Sequence, residues 1–232
     1  MDNVSLKDLF LNYNRTMINK WLHYMDIYQK YFDPIKNRKE KINILEIGVF
    51  QGGSIELWNN YFGPSKCNIY GIDIEPKCKK VEELYGNVKI LIGDQGDKNF
   101  LNNIISQLPD MDIIIDDGSH MMNDQITTFE ILFPKVIMDG IYICEDLHTS
   151  YWPICGGGYK KDGTFIEYIK NYIDKLNAYH CHDNDWCEKN SNLHIDNFTK
   201  TCYSMHFYDS IVVLEKSQID KPISILKGTP IY

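Results

Sequence analysis

From Ile42 onward the chain alternates short apolar runs with stretches patterned as helices, and that alternation restricts it to few folds. Runs rich in Ile and Val at 42–47, 68–73, 87–92, 111–116 and 140–145 are bounded by turn formers, as expected of strands buried on both faces. The intervening pattern predicts helices near 53–62, 76–84, 97–107 and 124–133. Short links between such elements imply right-handed βαβ units and a parallel sheet. A helix at 164–179 would bury Phe165, Ile169, Tyr172 and Leu176. The stretches Cys202–Phe207 and Ser210–Glu215, joined across Tyr208-Asp209, read as an antiparallel hairpin that completes the sheet. The expected architecture is α/β: a mostly parallel sheet with helices on both faces and a C-terminal antiparallel hairpin.

Residues 1–40 read as a helical appendage to a main domain at 41–232. Ser5 can cap a first helix, and Trp21, Tyr24, Met25, Tyr28 and Phe32 recur at spacings that place them on one helical face. Asp33-Pro34 is expected to stop that helix. The net charge of −8, from 24 basic and 32 acidic residues, argues against a nucleic-acid or anionic-membrane partner. Seven cysteines, an odd number with no Cys-x-x-Cys, are the usage of a reducing compartment. No signal peptide or membrane span is read, so the expected location is the cytoplasm. His180 to Cys187 superficially offers zinc ligands, but the spacing matches no usual finger and an ordinary polar loop is expected.

Two of the strands end in pairs of acids. Met111 to Ile115 runs into Asp116-Asp117-Gly118-Ser119-His120, and Gly140 to Cys144 runs into Glu145-Asp146. Ligands of open α/β sheets sit beyond the carboxyl ends of the strands, so both pairs would face one cleft. Four carboxylates held together repel unless a cation or a cationic ligand sits among them. Asp-Asp-Gly alone could be a capped turn, but that does not account for Glu145-Asp146 one strand later. The expectation is a metal site, and all-oxygen ligation selects a hard cation such as Mg²⁺.

The first strand runs into Glu46-Ile47-Gly48-Val49-Phe50-Gln51-Gly52-Gly53-Ser54, a glycine-rich turn that lets the backbone approach a ligand at a helix start. The second ends at Asp73, where an acid can accept hydrogen bonds from ribose hydroxyls. Together they point to an adenosine-type cofactor. The spacing Gly48-x-x-x-Gly52-Gly53 departs from Gly-x-Gly-x-x-Gly and tilts away from a nicotinamide dinucleotide.

These residues, with Gly93-Asp94-Gln95 and the run Glu145-Asp146-Leu147-His148-Thr149-Ser150-Tyr151-Trp152, resemble the Rossmann-like class I S-adenosylmethionine-dependent methyltransferases. More narrowly, they are similar to metal-dependent sugar O-methyltransferases of the mycinamicin VI 2''-O-methyltransferase and demethylmacrocin O-methyltransferase type. The resemblance runs from about Lys20 to Tyr179 and includes His23-Tyr24-x-x-x-Tyr28. It implies a metal held by Asp117, Glu145 and Asp146, with His120 as general base. It implies S-adenosylmethionine contacts from Glu46, Gly48, Ser54, Asp73, Asp94, Gln95 and Asp116.

Read independently, a histidine with an ordinary pKa near ~6.5 suits removal of a hydroxyl proton. His148 is a second candidate for that role. Tyr151 and Trp152 offer faces on which a sugar can stack, and the loop through Gly156-Gly157-Gly158 is a candidate lid. The partner expected is a small sugar or nucleotide sugar, with a homo-oligomer left open. Three rivals share the pattern: methyl transfer to an amino sugar nitrogen or a catechol-like diol, the chemistry of the similar cephalosporin hydroxylases, and a non-catalytic cofactor-binding subunit. Clustered acids argue against the last.

Overall fold

A computed structural model describes residues 4–38, 40–181 and 193–232. Seven strands form one sheet: β1 (Ile42–Ile47), β2 (Cys67–Asp73), β3 (Val88–Ile92), β4 (Met111–Asp116), β5 (Val136–Cys144), β6 (Cys202–Tyr208) and β7 (Ile211–Lys216). Their order is β3-β2-β1-β4-β5-β7-β6. The first five are parallel, and the β6–β7 hairpin joins antiparallel through β7 against β5. Every residue of β4 is buried, which explains its unbroken apolar run.

Among the described residues, seven α-helices accompany the sheet: α1 (Leu6–Leu11), α2 (Tyr24–Lys36), α3 (Gly53–Phe62), α4 (Lys98–Ile105), α5 (Met122–Leu132), α6 (Phe165–Leu176) and α7 (Asn197–Thr201). On one face, α2 and α3 bring Tyr28, Phe32, Trp58, Tyr61 and Phe62 against Ile44, Ile69 and Ile113. On the other, Phe129, Phe133, Phe165 and Phe198 pack with Tyr142 and Leu45. Trp58 is fully buried, and truncating a side chain of this kind costs ~3–5 kcal/mol.

The sheet register positions the site. Asp116 pairs with both Ile47 and Cys144, so the turns after β1, β4 and β5 leave the sheet side by side. They emerge where the strand order reverses between β1 and β4, the switch point at which α/β sheets bind ligands.

The N-terminal forty residues differ from expectation. Helix α2 carries Pro34 in its interior and ends at Lys36. Pro34 lies in the last turn, where the missing N–H costs a single bond, and buried Phe32 and Ile35 hold the turn to the core. Trp21 lies ahead of this helix, half exposed. Residues 12–23 form no helix, and the Tyr13 and Thr16 hydroxyls instead donate to buried Glu56 at 2.6 and 2.7 Å. Pro76–Leu84 is a 3₁₀ helix with only Cys78 and Val81 buried, too few for a packed α-helical stripe. Most of the His180–Cys187 stretch lies outside the described residues. Among the described residues no helix is long and apolar enough to cross a membrane.

Candidate active site

The turns at the carboxyl end of the sheet enclose a cavity of about 690 Å³, within the range of small-molecule sites. The turn after β1 passes so close to the one after β4 that a Cβ on Gly48 would lie 2.0 Å from the Asp117 carbonyl oxygen. Only glycine fits there, and Gly48 also has φ +90. Ser54, in the first turn of α3, lines the cavity, so the free N–H end of that helix faces it.

Asp73 at the tip of β2 braces this turn. Its Oδ2 accepts from the Val49 and Phe50 N–H groups at 2.8 and 2.9 Å, and its Oδ1 from the Glu75 N–H at 2.8 Å. A carboxylate has about four lone-pair sites, so capacity remains toward the cavity that Asp73 lines. Asp94 and Gln95 line it too. Gln95 ties two turns together: its Oε1 accepts from the Ser119 N–H at 2.7 Å, and its Nε2 donates to Asp116 and Thr128 at 3.1 Å each.

Asp116 and Glu46 stand behind the cavity wall, both fully buried. Burial pushes the Asp116 carboxyl up to about 7, with the neighbouring Asp117 charge adding to it, while bonds from Gln95, Gly118 and Tyr142 oppose the rise. Burial likewise raises Glu46 to about 7 against the pull of Lys20. Trp58 Nε1 donates to Glu46 at 3.2 Å.

The acid cluster forms where β4 and β5 end. Asp117, His120 and Asp146 each direct one donor atom to a common point, with all three atoms within 4.8 Å of one another. His120 Nε2 lies 3.8 Å from Asp117 and 3.6 Å from Asp146. His120 and Asp146 both adopt left-handed backbone, at φ +57 and +54, a conformation that non-glycine residues hold when their surroundings impose it. Tyr24 donates to Asp146 at 2.8 Å and so links α2 to the cluster.

Glu145 turns elsewhere. Its Oε1 accepts from the Lys20 ammonium at 2.7 Å, and the same ammonium donates to Asp117 Oδ2 and lies 3.6 Å from Glu46. Burial pushes Glu145 up to about 7, with Lys20 opposing. Burial alone would lower Lys20, but the charges of Asp117, Glu145 and Glu46 outweigh it and hold the ammonium well above its ordinary value.

The residues present fit both groups that the sequence implies. The Asp117 and Asp146 carboxylates converge at a polar rim with the His120 imidazole beside them, and Glu145 Oε2 and His120 Nδ1 are buried without hydrogen-bond partners. Buried polar atoms of that kind call for an ion, ligand or water. The cavity, lined by Asp73 and by Ser54 at the α3 N-terminus, has the volume and the polar groups to take a nucleoside-type cofactor.

Of the sequence-derived candidates, the cavity thus gathers Gly48, Ser54, Asp73, Asp94, Gln95, Asp117, His120 and Asp146. Tyr151 and Trp152 lie outside its lining, each about half exposed. The Trp152 ring stands 4.7 Å from that of His148, and His148 stands 5.7 Å from Trp21, an aromatic rim beside Asp146. His148 Nδ1 contacts the Ser210 hydroxyl. The glycine run is tied by backbone bonds from Gly157 to Trp152 and from Gly158 to Ser150. Sequence reasoning missed Lys20 and its neighbours Met17 to Asn19, which cover the cavity. The only signal for Lys20 was that the clustered acids demand a cation.

No protein-family model matches the chain. Among curated proteins, it is 32% identical over 208 residues to the 8-demethyl-8-alpha-L-rhamnosyl tetracenomycin-C 2'-O-methyltransferase of Streptomyces olivaceus, covering 85% of this chain and 52% of that protein. It is 35% identical over 176 residues to the demethylmacrocin O-methyltransferase of Streptomyces fradiae, covering 70% of this chain and 43% of that protein. Among solved structures, the MycE methyltransferase from the mycinamycin biosynthetic pathway, in complex with Mg and SAH, superimposes with a TM-score of 0.78 at 29% identity. That match covers 92% of this chain and 55% of the other. The chain therefore spans about half the length of these relatives. Within that span, by sequence and by architecture, it is a homologue of the sugar O-methyltransferases, built on the class I methyltransferase fold.

Proposed function

We propose that this chain is an S-adenosylmethionine- and Mg²⁺-dependent O-methyltransferase acting on a hydroxyl of a sugar, either glycosidic or nucleotide-linked. The observation that carries the reading is the convergence of Asp117, His120 and Asp146 at the rim of the cavity that Asp73 and the Gly48 turn enclose. Asp73 would take the ribose hydroxyls, with Gly48, Ser54, Asp94 and Gln95 around the rest of the cofactor. Glu46 and Asp116 act from behind the wall, Glu46 through Lys20 and Asp116 through Gln95.

Asp117, Glu145 and Asp146 would hold the metal, Glu145 through the oxygen that Lys20 leaves unpaired. When bound, the cofactor supplies the methyl group, and the divalent ion lowers the pKa of the acceptor hydroxyl. His120 takes the hydroxyl proton at Nε2, the nitrogen that faces Asp117 and Asp146. His120 holds a left-handed backbone at φ +57, and its ring lines the cavity beside Asp117 and Asp146. The cavity walls would position cofactor and acceptor against each other, which is the remaining contribution to rate. The Trp21, His148 and Trp152 rim, with Tyr151, would stack against the sugar. A net charge of −8 disfavours nucleic acid as acceptor, and the cysteine usage fits the cytoplasm.

The test is incubation with labelled S-adenosylmethionine and a panel of glycosides and nucleotide sugars, with and without EDTA. Label should enter a sugar, EDTA should stop it, and Mg²⁺ should restore it. Asp146→Asn should lose turnover while calorimetry still detects S-adenosylhomocysteine. Full activity after verified metal removal would refute the mechanism.

A further inference from the structure

We propose that Lys20 is a positioning residue of the acid cluster: a resident cation that engages one oxygen each of Asp117 and Glu145 and so tempers the affinity of the cluster for a divalent ion. The inference rests on reading that cluster as a metal site. The Lys20 side chain is 2% exposed, and its ammonium reaches Asp117 Oδ2, Glu145 Oε1 and, at 3.6 Å, Glu46. The Tyr28 ring lies 6.0 Å away. A lysine buried this deeply keeps its charge only when carboxylates compensate its lost hydration.

The arm that carries Lys20 is anchored independently of the cluster. Tyr13, Thr16 and Arg15 hold Glu56 of α3, with the Arg15 ion pair at 2.7 Å. The arm also lies directly on α3: a Cβ on Gly53 would meet the Met17 carbonyl oxygen at 2.4 Å. The fold therefore delivers the ammonium to a fixed place.

The geometry divides each carboxylate in two. Asp117 gives Oδ2 to Lys20 and turns Oδ1 toward His120. Glu145 gives Oε1 to Lys20, and its Oε2 is buried with no partner. An ion held at the Asp117–Asp146 end of the cluster would sit one carboxylate, that of Asp117, away from the ammonium, in an interior that screens charge poorly. The two cations repel, so the lysine holds divalent affinity down while keeping the ligand oxygens aimed.

Calorimetric titration of Mn²⁺ alone into the full chain, preloaded with S-adenosylhomocysteine, tests this. Lys20→Met should bind Mn²⁺ at least tenfold more tightly than wild type, and Lys20→Arg should stay within threefold of it. Adding Glu145→Gln to Lys20→Met should remove most of the gain. Retained S-adenosylhomocysteine binding verifies the fold, and Lys20→Gln carries the same expectation if Lys20→Met does not fold. Unchanged or weaker Mn²⁺ binding in the charge-free variant overturns the proposal. Absence of Mn²⁺ binding in wild type overturns the metal reading itself, and this inference with it.

Discussion

Asp116 offers a measurable link between the buried site and stability. It is fully buried, and its carboxyl is raised from an ordinary 3.8 to about 7, first by burial and then by the charge of Asp117. The fold therefore prefers the protonated acid. Its stabilising contribution is complete below the unfolded pKa of 3.8 and is lost as pH rises through about 7. At ~1.4 kcal/mol per unit, this rise corresponds to about 4 kcal/mol. Asp116→Asn removes the charge and keeps the shape. Its amide oxygen can accept from Gln95 Nε2 and the Gly118 N–H, and its amide nitrogen can donate to the Tyr142 hydroxyl, which now bonds Asp116 at 3.4 Å. Urea unfolding of both proteins in EDTA, from pH 4.5 to 8.5, measures the difference. The variant should gain on wild type by ~1.4 kcal/mol per pH unit and level off above pH ~7, reaching about 4 kcal/mol. Parallel curves, or a variant less stable at pH 8, would show that the carboxylate is not held at the expense of the fold.

Two further substitutions probe the chemistry. His120 has φ +57, so asparagine, which tolerates that backbone, is the cleaner replacement; His120→Asn should slow the chemical step by roughly 10²–10⁴-fold with cofactor affinity intact, and near-wild-type turnover would remove His120 from the proton transfer. Asp73→Ala should weaken S-adenosylhomocysteine binding by about 1–3 kcal/mol, because it removes the ribose partner and releases the Val49 and Phe50 N–H groups; unaltered affinity in calorimetry would place the ribose elsewhere.

Much of the frame is local and so was legible in the chain. Strands β1 and β4 and helix α3 fall at the bounds their apolar runs and glycines predict. The acid pairs lie at strand tips because the strand pattern and the parallel sheet require it. The arm at 12–23 was not legible, because its shape follows from Glu56, some forty residues along the chain, which takes the Tyr13 and Thr16 hydroxyls. Helix α2 outlasts Pro34 for a similar reason, since its buried aromatic face outweighs one lost backbone bond.

The candidate site divides along the same line. Residue type and spacing determine that four carboxylates and a histidine meet at one end of a parallel sheet, because period and strand order are properties of the sequence. Which oxygen faces which partner is decided only in three dimensions. Asp117 and Asp146 turn toward His120, while Glu145 and Glu46 turn toward an ammonium that arrives from 26 residues before Glu46 and 125 before Glu145. Charge balance demands a cation whatever the fold, but its source is a long-range contact, and no local pattern encodes one.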